Sequence, residues 1–449
     1  AHFTQDGYQP QLLGHQFFSD NAYLDTLTLV PGGVVSLAGT VSGTFTSNNL
    51  YFVDDNITIP DGDTLTIEAG TQVLFRGNYS FTANGKLFVN GTSENKVHFS
   101  SRTPVPAVGD WGNITLNSGA TGSFIKYATY QYATEGFICN NLNDLSIWGC
   151  EVNTLAIGAR AITIDNCENI DFRYNELTAP GNWVIYKPNN NWDNSGIFIG
   201  NEIDAANSGI YARYFHNLQL DSNDVETTGT GIYASNSQNL IARYNNIYGD
   251  HQSGIELYNC DGATLEGNII RYSKNRGYGL GLCDNITFIN NHFYYSGTDN
   301  WVYGVSGDGE YREIVENDET YPSLFENNVV IFDDSLGDNS SWYAFFGIRN
   351  ARILNNRVEN WKSSSSNHGG FRNSDNCYFQ ENYLHIRGNS GNDYEKTAIH
   401  GSNIISVRDS LVLENGTKGF YGNSFEISGT VISAPSNNNN NFAIDCRGG

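Results

Sequence analysis

The chain has 449 residues, with 24 Lys and Arg against 48 Asp and Glu for a formal charge of −24, and it is 39% hydrophobic and 13% aromatic. A polyanion such as nucleic acid would repel so acidic a chain, while the apolar content suffices for a buried core and is too high for an acidic disordered tail. No run approaches the ~18 consecutive apolar residues of a membrane span.

In chain order, residues 1–35 show no periodicity and read as an N-terminal cap, because the open end of a coiled sheet must be covered or it pairs with another chain. Residues 36–130 alternate apolar and polar with wide spacing, as in 56–75, 85–91 and 111–116, and read as irregular first rungs. From 131 to 432 a unit repeats: apolar, any, apolar, any two, Asn, any, apolar. Residues 218–225, 240–247, 263–270 and 286–293 all obey it. The Asn column comprises Asn175, Asn201, Asn223, Asn245, Asn268, Asn291, Asn328, Asn356 and Asn382, with Cys150, Ser410 and Thr430 as substituted members. Upstream of each, Gly precedes an apolar residue, as in Gly136-Phe137, Gly209-Ile210, Gly231-Ile232, Gly254-Ile255, Gly279-Leu280, Gly304-Val305 and Gly370-Phe371. Residues 433–449, with their run of Asn at 437–441, fall outside the repeat as a C-terminal tail.

A period near 22 residues, as between Asn201, Asn223 and Asn245, suits either a leucine-rich repeat or a parallel β-helix. Period-two alternation within each element and the lack of a 3.6-residue stripe favour three short strands per turn. The expected fold is therefore all-β: a single right-handed parallel β-helix, a solenoid of about sixteen rungs with an Asn ladder and an N-terminal cap. The asparagines are expected to tolerate the left-handed backbone of a sharp turn and to bond amide to amide between rungs, an architectural role.

The unit at 253–270, Ser-Gly-Ile-Glu-Leu-Tyr-Asn-Cys-Asp-Gly-Ala-Thr-Leu-Glu-Gly-Asn-Ile-Ile, resembles the parallel β-helix repeat of the carbohydrate-binding and sugar-hydrolase (CASH) type. The resemblance covers 130–432 well and 40–130 loosely. It implies the fold and leaves the activity open, since lyases, hydrolases, epimerases and adhesins share that repeat. In enzymes of this resemblance a substrate groove runs along the outward face of one sheet. If Ile210, Ile232, Ile255, Phe371 and Ile399 point inward, alternation sends Tyr211, Tyr233, Glu256, Arg372 and His400 outward, with Arg213, Ser235 and Tyr258 two places on. Insertions at about 299–322, 333–343, 360–369 and 386–397 interrupt the repeat beside this strand, and loops of that size usually carry function.

Were the chain an enzyme, Glu256, His400 and Arg372 are the candidate catalytic residues of a polysaccharide lyase, epimerase or hydrolase. Tyr211, Arg213, Tyr233, Tyr258, Trp301, Trp342 and Trp361 are candidates for glycan binding. A lyase must neutralise a sugar carboxylate, by a basic residue or by Ca²⁺ held on Asp or Glu; no other cofactor is indicated. A glycosidase needs two carboxylates on one face, and only Glu256 is clearly there. So acidic a chain also has few Lys and Arg to concentrate at an anionic-polysaccharide groove.

Seven cysteines leave one unpaired. Cys260 and Cys283 hold the same position on adjacent rungs, where a disulfide and a pair of stacked thiols are both allowed. Cys446, close to the end, is the candidate for a bond to another chain. The start at Ala1-His2-Phe3 and the absence of Met read as a mature, secreted or cell-surface chain whose signal peptide has been removed. Two functions follow. The leading one is a structural protein whose copies self-associate into an extracellular filament, sheath or layer. The alternative is an extracellular carbohydrate-active protein using the groove on the Gly-apolar strand face.

Overall fold

The computed structural model describes residues 8–9, 30–153, 155–179, 183–187, 195–271, 273–295, 301–307, 323–333, 341–360, 368–387, 396–414, 417–434 and 444–446. Two compact units divide the chain, 1–181 and 182–449. Each is a coil of short parallel strands that fall into three sheets, A, B and C, taken in that order around every turn, and the two units hold about 14 turns.

In the first unit, Phe81–Ala83, Ile114–Leu116, Phe137–Asn140 and Ile162–Asp165 succeed one another in sheet A. Its core is aromatic: Phe75 stacks on Trp111 at 4.0 Å, Trp111 meets Tyr130 at 4.7 Å, and Tyr130 meets Phe137 at 4.8 Å. The polar ends of these rings are satisfied, with Trp111 Nε1 donating to the Gln131 carbonyl (2.7 Å) and the Tyr130 hydroxyl to that of Glu135 (2.7 Å). Of the segment 1–35 expected as a cap, Tyr8–Gln9 pairs antiparallel with Val30–Pro31; the rest of 1–29 lies outside the described residues, and the coil itself opens with Val34–Thr40.

In the second unit, Ser208–Arg213, Thr230–Ser235, Ser253–Tyr258 and Arg276–Gly281 are consecutive sheet A strands. Alternation buries Ile210, Ile232, Ile255, Phe371, Ile399 and Phe420 at 0% exposure, in register one above the next, as the pattern requires. One rung shifts the expected register. Ile255 pairs with Tyr278, so Gly277-Tyr278 fills the Gly-apolar position and Gly279 faces outward opposite Glu256. A tyrosine is tolerated inside because its hydroxyl donates to the Asn268 carbonyl at 2.9 Å. The column needs glycine for space: a Cβ on Gly254 would lie 2.5 Å from the Gly277 carbonyl and 2.4 Å from Ile270 Cδ1.

The Asn ladder is present between sheets B and C. Asn268 is typical: its N–H and Nδ2 both donate to Asn291 Oδ1 (3.0 and 2.9 Å), and Nδ2 also donates to the Ala242 carbonyl (2.9 Å). The left-handed residues are not the ladder asparagines but those just before them, Gly200, Ser222, Tyr244, Gly267, Asn290, Asn327, Asn355 and Glu381. The ladder amide pins that strained turn rather than adopting it. In the first unit Cys150 holds the place, its N–H donating to Asn175 Oδ1 at 2.9 Å. At the far end Asp409, not Ser410, is the member: Asn382 gives Asp409 Oδ1 its N–H (2.8 Å) and its Nδ2 (2.9 Å), and Thr430 Oγ1 accepts from the Asp409 N–H.

Burial pushes the Asp409 carboxyl above its ordinary value, against hydrogen bonds from Ser406 and Asn382 that favour the anion. A carboxyl raised in the folded state binds its proton more readily there than in the unfolded chain, so its ionisation costs stability as pH rises past 3.8 through the folded value. Asp409→Asn is expected to stabilise the second unit by about 1 kcal/mol at pH 7, a gain that shrinks as the pH falls toward the ordinary carboxylate range. Thermal midpoints of both proteins across that range check it.

Cys260 and Cys283 are free thiols: the Cys260 N–H donates to Cys283 Sγ at 3.3 Å, and each sulfur turns toward a carbonyl, Tyr258 and Gly281 respectively. Ile444–Cys446, placed in the tail by sequence, is a further sheet A strand paired to Phe420–Gly422; the Cys446 side chain lies outside the described residues. Among the described residues no helix is long and apolar enough to cross a membrane.

Candidate functional site

The outward row of sheet A follows the predicted register through the second unit. Tyr186, Tyr211, Tyr233, Glu256, Gly279, Ser306, Phe346 and Arg372 are successive partners. Phe371 then pairs with Ile399 and His400 with Tyr421, so Arg372, His400 and Tyr421 close the row. Sequence reasoning placed Tyr211, Tyr233, Glu256, Arg372 and His400 here correctly, but the row separates them. Five rung spacings separate Glu256 from His400, about 24 Å at the usual strand spacing, so the two cannot act on one bond. Glu256 pairs instead with Arg276 at 3.7 Å.

The glycan-binding candidates divide similarly. Tyr186 stacks on Tyr211 (5.4 Å) and Tyr211 on Tyr233 (4.9 Å, 10° between planes). Rings stacked along the row spend their faces on one another and offer edges and hydroxyls outward, not a platform for a sugar. The Arg213 guanidinium packs against Tyr211 and Tyr214 at 5.9 and 5.5 Å, and Ser235 is buried. Tyr258, 41% exposed, remains open. Trp342 is wholly buried, because Ser341–Phe346 turns Trp342, Ala344 and Phe345 into the interior, so it meets no glycan. Of Trp301 the side chain lies outside the described residues, as do Trp361 and most of the four insertions; 301–306, 341–346 and 368–372 are themselves strands of sheet A.

Where the row ends, an open cleft of about 430 Å³ is lined by Arg349, Asn373, Asp375, His400, Gly401, Ser402, Tyr421, Gly422 and Asn423. His400 and Tyr421 approach with ring centroids 5.1 Å apart. Burial and the neighbouring Arg372 push the imidazole below its ordinary value, Asp375 opposing, so at neutral pH His400 is the uncharged base. Asp375 is held in a frame: Arg349 Nε stands 3.5 Å from its Oδ2, and the Ser402 N–H donates to Oδ1 at 2.8 Å. Arg372 lies over the Tyr343 ring at 5.0 Å and Lys418 Nζ over that of Tyr421 at 4.8 Å. Arg349 in the cleft lining and Arg372 near His400 thus stand here despite the acidity of the whole chain.

Gly401 and Gly422 form the floor. A Cβ at Gly401 would fall 1.6 Å from the Ser374 carbonyl, and one at Gly422, whose φ is +137°, 1.9 Å from that of Gly401. Sequence reasoning missed Arg349, Asp375, Ser402 and Tyr421. Tyr421 was within reach, since Gly419-Phe420 is one more Gly-apolar pair; Arg349 and Asp375 open sheet B strands just before the left-handed Asn350 and Asn376, which interrupt the alternation. Among the described residues no group of three or more His, Cys, Asp or Glu is placed to hold a metal ion, so the donor set for the Ca²⁺ considered above is not assembled there.

Two family models match this chain, "Right handed beta helix region" over residues 184–317 and "Pectate-lyase like beta helix domain" over 39–146. The chain is a right-handed β-helix repeat protein. No curated protein matches it in sequence. Among solved structures, this β-helix protein is similar to an alginate lyase from Paenibacillus sp. (12% identity, 69% of this chain and 97% of that one, TM-score 0.34). It is also similar to the catalytic domain of a GH87 α-1,3-glucanase in complex with nigerose (10%, 87% and 67%, 0.35) and to the Streptococcus pneumoniae surface protein and adhesin PfbA (11%, 93% and 91%, 0.30). At these identities and scores the likenesses carry no argument about substrate or chemistry.

Proposed function

We propose that this β-helix protein is carbohydrate-active, and that it works through the outer face of sheet A at the His400 cleft. The observation that carries the reading is a neutral imidazole beside an arginine and a tyrosine in an open cleft, at the end of a continuous outward row that an extended polymer can follow. A base held uncharged at neutral pH is what proton transfer needs, and a ladder of identical strand spacings suits a substrate that repeats. A polymeric glycan would be met outside the cell or at its surface. The self-association reading rests on Cys446 and the chain ends, outside the described side chains, whereas the glycan reading has a built cleft.

The test is a screen of plant, algal and bacterial polysaccharides for binding by titration calorimetry and for new chain ends. One class is expected to bind and turn over, with His400→Ala slowing turnover about 10²- to 10⁴-fold and Glu256→Gln, five rungs away, changing it less than about threefold. Failure of the unaltered protein to bind or cleave any of them overturns the reading.

A further inference from the structure

Away from the cleft, the corner between sheets A and B carries another column of side chains in the second unit. Four consecutive sheet A strands are each followed by a left-handed residue, Tyr214, Asn236, Asn259 and Leu282, and the next positions are Phe215, Ser237, Cys260 and Cys283. The first three are buried and Cys283 is partly exposed. The backbone N–H of each rung donates to the side chain of the next: Phe215 to Ser237 Oγ at 3.2 Å, Ser237 to the Cys260 sulfur, and Cys260 to Cys283 Sγ at 3.3 Å. Both sulfurs therefore accept an N–H, the bond that favours thiolate over thiol. The two side chains also bond to each other, and that bond, then burial, pushes the Cys283 thiol up. Only an ion with a strong preference for sulfur displaces a proton so held. Each cysteine is followed by an exposed aspartate, and the Asp284 N–H donates to Asp261 Oδ1 at 3.0 Å. Two carboxylates at the mouth beside the more exposed thiol draw cations to it.

We propose that Cys260 and Cys283 form a two-thiolate site for a soft monovalent cation, Cu(I). Thiolate sulfur selects soft ions, Cu(I) and Zn²⁺ among the biological ones, and the number of donors decides between them. Zinc takes four ligands. Among the described residues no group of three or more His, Cys, Asp or Glu is placed to hold an ion, which leaves the two sulfurs. Cu(I), with its filled d shell, accepts two sulfurs in line. Side chains one rung apart, ~4.8 Å, stand at the separation that two metal–sulfur bonds of ~2.3 Å in line span. Binding exchanges both thiol protons, which pass to water, for the ion; the copper stays Cu(I), so no electron is transferred. The resulting bis-thiolate carries one negative charge, held by the Ser237 and Cys260 N–H groups. Cys377 is the contrast, standing in register between Ala351 and Ile404 with no second sulfur at that place.

The full chain, reduced and loaded with Cu(I) without air, is titrated against a chromogenic Cu(I) chelator, and X-ray absorption reads the donors around the copper. One tightly held Cu(I) per chain is expected, with two sulfurs and no third donor. Cys260→Ser and Cys283→Ser should each weaken binding by more than the about 10- to 100-fold that loss of an outer-shell partner costs, while Cys377→Ser leaves it unchanged. Serine is accommodated in this column, since Ser237 fills it one rung earlier, and unchanged circular dichroism checks the fold of both variants. Zn²⁺ should compete poorly. Cu(I) affinity retained in either serine variant, a third donor around the copper, or equal affinity for Zn²⁺ overturns the assignment. So does the absence of stoichiometric Cu(I) binding to the reduced chain. The site is independent of the glycan reading, and either can fail alone.

Discussion

Asn268→Ala is expected to destabilise the second unit by about 3–6 kcal/mol, more than any single core truncation of similar volume among its neighbours. The side chain is wholly buried. It accepts the N–H and the Nδ2 of Asn245 (3.0 and 2.9 Å) and donates to the Ala242 carbonyl and to Asn291 Oδ1. Truncation leaves the Asn245 N–H and the Ala242 carbonyl buried without those partners, each worth about 1–3 kcal/mol, and releases the left-handed turn at Gly267 that the amide pins. Asn268→Asp should be as harmful near neutral pH. It keeps the acceptor but sets an anion against Asn291 Oδ1, whereas Asp409 is tolerated only at the ladder's end, where the Ser406 hydroxyl donates to its second oxygen at 2.5 Å. Because turns of a solenoid unfold with their neighbours, the measurement is hydrogen exchange rung by rung. Protection should fall around 242–268 before it falls in the first unit, and unchanged protection there would refute the ladder's energetic role.

The coil was legible because its two strongest constraints are local. A buried amide at the B–C turns from Asn175 to Asn382 and a glycine where the sheet C side chains crowd sheet A both leave one-letter columns, and alternation then fixes which residues face out; this is how Arg372 and His400 were found. Register failed at Gly279, where two glycines two residues apart, Gly277 and Gly279, fit the same pattern and only the packing of Tyr278 decides between them. Trp342 failed for a different reason. Aromatic residues beside insertions look like sugar-binding side chains, yet alternation buries every second one, and the insertions hide where the count restarts. Arg349 and Asp375 open sheet B strands beside the left-handed Asn350 and Asn376, where facing depends on backbone angles that composition does not encode. The ladder's end at Asp409 was displaced by one residue because Ser410 also satisfies a loose polar rule, while only a side chain with a carbonyl-type oxygen takes both donors of Asn382.

Gly401→Ala should combine a large loss of stability with loss of the site. The added methyl would sit 1.6 Å from the Ser374 carbonyl and 3.2 Å from its nitrogen. Ser374 cannot simply retreat, since its N–H is bonded to the His400 carbonyl at 3.0 Å, so the displacement passes to 400–402 or to 373–375. Either route moves His400 relative to Arg372 or breaks the Ser402–Asp375 bond. A backbone clash of this kind costs about 3 kcal/mol or more, and a shift of about 1 Å in a positioned base lowers turnover about 10²-fold. Gly262→Ala is the control: its φ is +71° and nothing lies within 4 Å of the new methyl, so only the left-handed strain of about 1–2 kcal/mol is incurred, and glycan binding should be untouched. Titration of both variants with the polysaccharide that the unaltered protein binds separates the two effects. Equal affinity in Gly401→Ala would mean that the cleft is not where the glycan sits, because no accommodation of that methyl leaves both Ser374 and His400 in place.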